Sequence, residues 1–307
     1  MFLERPGERS FAPPYRATNA RLNGFVLRGN RDEMQRLCDR SLNWPGVRRP
    51  VFEAMTASVL LTVERMEVRL PAGVAGVLPV REVAVWIPVQ HPGGLGFFLP
   101  YVYIDTDYGL FTGRDALGFP KSYAEFPVFA DNFRRPDSFA ADVFALRRFA
   151  ATERLRLRRL LEIESTVLRS APPLPEESAD FEEPAREIAR QLLGGFAQQG
   201  RGPVHRGEIA GRVFSWLTRT IPLILLKEHR DAEAPQRACF RRLVSVPAKV
   251  DRVRGLGWLP DRYTVRCADL ESEPLHLLIP EQSVEWPRAF YLDFDFSISS
   301  GAYLHAG

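Results

Sequence analysis

The stretch "VREVAVWIPVQ", residues 80–90, decides the fold. Val83, Val85 and Ile87 alternate with Glu82, Ala84 and Trp86. A period of two sends successive side chains to opposite faces, so the segment reads as a β-strand. Just upstream, "ASVLLTVERMEV" (57–68) alternates at Val59, Leu61 and Val63. Downstream, "HPGGLG" (91–96) is a turn and "FFLPYVYIDTD" (97–107) an aromatic strand, which "YGLFTG" (108–113) is expected to continue.

The same alternation recurs further out. "RLNGFVLRG" (21–29) and "RLRLR" (154–158) read as strands, the second extended by "LLEIE". Beyond Ile221 come "IPLILLKEH", "CFRRLVSVPAKV", "RYTVRC", "PLHLLIP" and "AFYLDFDFSIS", separated by turn signals such as "RDAEAPQ" and "GLGWLPD". Residues 1–15, rich in Pro and Arg, read as an extended arm. The first helix follows at "NRDEMQRLCDRSLNWP": Asn30 is its cap, Glu33 lies three residues on, Met34, Leu37 and Cys38 share a face, and Pro45 ends it.

Near residue 170 the text changes. "SAPPLPEESADFEEP" is a linker, after which Ile188, Leu192 and Phe196 fall four apart as on one face of a helix, a stripe read as core packing; "EIAGRVFSWLTRT" (208–220) predicts a second helix. Strand text lies on both sides of this excursion. The expectation is one α+β domain over 1–307, a mainly antiparallel β-barrel or sheet, with a helical insertion at about 170–220.

Composition narrows the function. A net charge of +3 from nearly balanced signs does not suggest nucleic-acid binding. Cys38, Cys239 and Cys267 are widely spaced without a CxxC, and the five histidines form no HExxH, so neither a disulfide framework nor a metal or cofactor site is expected. The N-terminus has no apolar signal region, and the longest strongly apolar run, "IPLILL", is far too short to span a bilayer. A soluble cytoplasmic protein without membrane partners is expected.

One residue type is scarce. Of 41 basic residues only Lys121, Lys227 and Lys249 are lysine. Lys121 sits in "GRDALGFPKSYAEF" (113–126), beside Phe119, Pro120, Tyr123 and Phe126. Arginine stays protonated, whereas burial among apolar groups lowers a lysine pKa to roughly 5–6, leaving the neutral amine that attacks a carbonyl. On local sequence alone the alternative is an ordinary surface lysine in a turn. Lys227, beside Glu228 and His229, reads as a strand-end charge, and Lys249 precedes a charged turn.

"GRDALGFPKSYAEF" resembles the signature of the acetoacetate decarboxylase family, a Gly-Arg-acid stretch leading to aromatic-Pro-Lys. The likeness continues in "REVAVWIPV", where Glu82 precedes Pro88 by six positions, in "YVYIDTD", in "LLKEHRDAEAPQRAC" and in "PPYRATNARLNGFVLR". It implies a barrel of that family's type, an oligomeric assembly, and Lys121 as a Schiff-base nucleophile acting on a β-keto acid or related carbonyl compound. Glu82 would assist proton transfer, with Trp86 and Phe119 at the pocket wall. Two departures stand out. Ser122 occupies the place of a second lysine, and Ala20 that of an arginine that holds the substrate carboxylate; its neighbour Arg21, which alternation turns to the opposite face, is the candidate replacement if the backbone shifts by one residue. Schiff-base aldolases, dehydratases or cyclases and a non-catalytic binding protein on the same fold are the alternatives.

Overall fold

The structure, a computed structural model, describes residues 9–43, 52–69, 76–91, 94–166, 181–193 and 220–304. Among them the chain runs through β1 (Tyr15–Arg28), α1 (Arg31–Ser41), β2 (Glu53–Ala54), β3 (Ser58–Arg69), β4 (Val77–His91) and β5 (Gly94–Ile104). It continues through α2 (Asp107–Thr112), a π-helical turn (Gly113–Leu117), β6 (Lys121–Tyr123), β7 (Glu125–Phe129), β8 (Ser138–Ala145) and β9 (Arg156–Thr166). The remainder comprises α3 (Glu182–Leu193), β10 (Thr220–Arg230), β11 (Ala238–Trp258), β12 (Arg262–Cys267), α4 (Leu275–Leu278), β13 (Gln282–Val284), β14 (Ala289–Ile298) and β15 (Ala302–Leu304).

The larger sheet has the order β2-β4-β3-β1-β14-β11-β10-β5-β6, and β5 also pairs with β4. That extra pairing closes seven strands into a barrel, which removes the edges an open sheet would expose. All neighbours in the ring are antiparallel except β5 and β10, and β6 joins β5 in parallel from outside it. Strands from both sides of 167–219 enter this one sheet. A second, antiparallel sheet, β13-β12-β9-β8-β7, lies apart from it in the pairing.

Both faces of the central strands are buried. Val59, Leu61, Val63, Val83, Val85 and Ile87 join Phe139, Leu161 and Tyr263 of the second sheet in one apolar cluster. Leu22, Leu60, Ala84, Leu99, Phe290 and Leu292 belong to another, which fills the barrel interior. At about 1.5–3 kcal/mol per fully buried aliphatic or aromatic side chain, these clusters dominate the stability. Ile188 and Leu192 of α3 pack into the interior cluster, as the stripe predicted. Phe196 and nearly all of the helix predicted at 208–220 lie outside the described residues; Thr220 is in β10.

Asn30 caps α1 as expected, its side chain accepting from the Asp32 and Glu33 amides. Three local readings differ from the expectation. "YGLFTG" does not prolong β5: Thr106 accepts from the Gly109 amide and starts α2 instead. "PLHLLIP" is α4 rather than a strand, because Leu275 and Leu278, three apart, are both fully buried on one helical face. "GLGWLPD" does not open with a turn. β11 continues through Gly255 and Gly257 to Trp258, because a Cβ at Gly257 would lie 2.8 Å from the Tyr291 ring and only glycine lets the strand pass.

Candidate active site

Four strands build the site by register alone. Glu64 on β3 faces Glu82 on β4, and Ala84 on β4 faces Val102 on β5, which in turn faces Lys121 on β6. The strand period then turns Glu64 and Glu82 to the barrel interior with Leu60, Thr62 and Trp86. Lys121 Nζ donates to Glu82 Oε2 at 2.7 Å, and the two side chains are only 14% and 11% exposed.

The chain reaches this geometry through a tight sequence of turns. The π-helical turn ends at Gly118, whose φ of +83° is left-handed, and the Gly118 amide donates back to Arg114 O. A Cβ there would stand 2.8 Å from Lys227 Cα, so the position needs glycine twice over. The Arg114 guanidinium donates to Lys121 O at 3.0 Å and ties the turn to β6. A Cβ on Gly113 would lie 2.7 Å from Lys121 Cδ, so the missing side chain is the space the lysine stem occupies. Lys227 is a brace rather than a free strand-end charge: its ammonium donates to Ala116 O at 3.2 Å inside the turn. Lys249 is exposed on β11.

Lys121 opens into a cavity of about 110 Å³ whose wall is hydrocarbon apart from Glu64, Glu82, Thr112, the lysine itself and a few edge atoms. A buried water needs about 10–15 Å³ of such space, so a multi-atom ligand fits. Phe119 forms one wall, with its ring centroid 5.4 Å from Lys121 Nζ. Trp86 forms another, held by Nε1 donating to Thr62 Oγ1 at 2.9 Å. From the N-terminal arm, Phe11 and Tyr15 also line the cavity, and the Tyr15 hydroxyl donates to Phe11 O.

Glu64 is the residue the sequence reading missed. It is fully buried, and its Oε1 has no hydrogen-bond partner among the described residues. Burial, and then the neighbouring Glu82, push its carboxyl up to about 8, against a lowering from Lys121. The shift favours the protonated carboxyl, and Oε1 has no partner among the described residues to receive that proton. Two ionised carboxylates facing each other would repel, which is the second reason one of them keeps its proton. The signal was present in "ASVLLTVERMEV": Glu64 is in phase with Leu60 and Thr62, on the face opposite Val59, Leu61 and Val63.

Arg21 is corrected. It does not line the cavity; its guanidinium lies over the Phe133 ring at 5.0 Å and 3.9 Å from Asp293, half exposed. The register of β1 shifts between Ala17 and Ala20, with Asn19 at φ 53°, so Ala17 and Ala20 are both buried and Arg21 takes the opposite face. Among the described residues, no arginine lines the cavity. Ser122, next to Lys121 on β6, lines a separate surface cleft with Tyr101 and Glu273.

The closed barrel thus holds a lysine–glutamate pair, 14% and 11% exposed, in an apolar chamber. The profile of the family described as acetoacetate decarboxylase (ADC) matches residues 5–194, and the chain belongs to that family. Among solved structures, acetoacetate decarboxylase from Legionella pneumophila superposes with a TM-score of 0.62 at 16% identity, covering 99% of this chain and 92% of that one. An acetoacetate decarboxylase-like enzyme from Sphingomonas wittichii gives 0.56 at 13% identity, covering 97% and 94%. The enduracididine biosynthesis enzyme MppR, solved with pyruvate, gives 0.53 at 13% identity, covering 96% and 91%. At these identities the likeness concerns the fold. No curated protein matches the chain.

Proposed function

We propose that the chain is a Schiff-base-forming lyase of the decarboxylase type, with Lys121 as nucleophile. The observation that carries this reading is the Lys121–Glu82 hydrogen bond of 2.7 Å beside the unpaired acid Glu64, inside an apolar cavity. Transfer of a proton from Nζ to Glu82 leaves the lone pair that attacks a carbonyl carbon. The carbinolamine loses water after its hydroxyl is protonated, and Glu64, which holds a proton at neutral pH, is the donor. The protonated imine then draws the electrons of the bond between the α-carbon and the carboxyl group; carbon dioxide leaves and an enamine remains. Protonation of the enamine carbon and hydrolysis of the imine release the ketone and restore the amine.

Aldol or dehydration chemistry on the same imine is the second reading, and the lining favours it at one point. A carboxylate entering this cavity would meet two acidic side chains and no arginine among the described residues. Borohydride reduction in the presence of ketones and keto acids, followed by peptide mapping, is expected to place the adduct on Lys121. Carbon dioxide released from β-keto acids distinguishes decarboxylation from the second reading. An absence of any adduct across ketones, aldehydes and keto acids would remove both.

A further inference from the structure

We propose that the carbonyl compound captured by Lys121 carries a hydrocarbon tail of several carbons, lodged in a second cavity beyond Trp86; this rests on the Schiff-base reading of Lys121. The second cavity, of about 70 Å³, shares Glu64, Trp86, Ala248 and Phe296 with the lysine chamber and lies further along the barrel interior. Leu22, Leu60, Phe97, Val250, Phe290 and Leu292 make its wall. Glu82 and Trp86 are four residues apart on β4, roughly 13 Å at about 3.3 Å per residue, so a tail reaching this space extends well past the reacting carbon.

The polar groups of the second cavity are already used or lie at its border. Thr62 Oγ1 accepts from the Trp86 indole at 2.9 Å and donates to Ala84 O at 3.4 Å. Glu64 stands where the two cavities meet. A buried water needs two to four polar partners, and the Leu22–Leu60–Phe290 wall offers none, so hydrocarbon is the chemistry that fills it. Ile188 and Leu192 of α3 belong to the same apolar cluster as Leu60 and Phe290, and α3 is held by Thr56 Oγ1 donating to Leu192 O at 2.9 Å. An apolar cavity of finite volume favours longer tails until it is full and then rejects them.

The test is borohydride trapping of straight-chain methyl ketones from butanone to undecanone on the full-length protein, with the adduct quantified on the Lys121 peptide. Half-saturating concentrations are expected to fall by about threefold to fourfold per added methylene until the channel is full, then to rise. Leu60, which faces Trp86 across the strands, sets the depth. Leu60→Ala is expected to move the optimum to a longer ketone and Leu60→Phe to a shorter one. Because the optimum is read within each variant, a change in overall activity does not mask it. If Leu60→Phe does not fold, the wild-type series and Leu60→Ala decide. Butanone trapped on Lys121 with no dependence on chain length overturns the tail and leaves the nucleophile intact. A wild-type optimum that neither Leu60 variant moves overturns the second cavity as its seat. No adduct with any of these ketones overturns this inference, while the lysine reading falls only if aldehydes and keto acids also leave no adduct.

Discussion

Glu64 and Glu82 face each other across β3 and β4, and of the two only Glu82 hydrogen-bonds Lys121. The asymmetry divides two identical side chains into different chemical species. Glu82 accepts a hydrogen bond from the amine, whereas burial and the adjacent acid push the Glu64 carboxyl up to about 8, which favours its protonated form.

The first prediction follows from Glu64 as a proton store. Its folded pKa lies above the ordinary carboxylate value, so between about pH 5 and pH 8 the folded state binds more protons at this residue than the unfolded state does. The contribution is therefore favourable at low pH and is lost as pH rises, at up to about 1.4 kcal/mol per pH unit. Glu64→Gln keeps the shape and removes the titration. Denaturant unfolding of the variant is expected to show a flatter stability profile from pH 5 to pH 8 than the wild type. Matching slopes would show that Glu64 is ionised.

Lys121→Arg tests the nucleophile. Arginine preserves a cation for Glu82, so the unfolding midpoint should move by only a few degrees. Its guanidinium does not give up a proton, so imine formation and turnover should disappear. Wild-type activity in this variant would exclude the mechanism.

Gly113 is expected to act through space it leaves empty. In Gly113→Ala the new methyl would sit 2.7 Å from Lys121 Cδ and 2.8 Å from Cε, forcing the stem to move. A displacement of about 1 Å at a reacting atom costs on the order of a hundredfold in rate. The fall should be in kcat and in the rate of borohydride trapping, with circular dichroism unchanged.

Gly118→Ala, by contrast, is a stability prediction. The φ of +83° and the backbone of Lys227 at 2.8 Å both exclude a side chain. The cost should be about 1–3 kcal/mol, seen as a lower unfolding midpoint. If the midpoint is unchanged, the turn into Phe119-Pro120-Lys121 has another conformation.

Much of this was written in local text. The alternation in 57–68 and 80–90 specifies strands whatever surrounds them, since the period belongs to the backbone. Lys121 stood out as one of three lysines, the family resemblance gave it and Glu82 their expected roles, and the Asn30 cap was legible in one dimension. Tyr108–Gly113 and Leu275–Leu278 were misread because short apolar runs fit a strand or a helical turn equally well, and long-range packing arbitrates. Arg21 could have replaced the missing arginine only if β1 shifted by one residue at that point; the irregularity falls earlier, between Ala17 and Ala20, so Ala20 stays inward and Arg21 outward.

By itself, then, the sequence determined the strand-rich class and, through the family resemblance, offered Lys121 and Glu82 as site candidates. Only the tertiary structure decided that Glu64 confronts Glu82, that the barrel interior holds no arginine from β1, and that a second cavity shares Glu64 and Trp86 with the first. Those facts depend on register between strands far apart in the chain. Register is set by how whole faces bury against one another, and a one-dimensional pattern carries the faces but not their alignment.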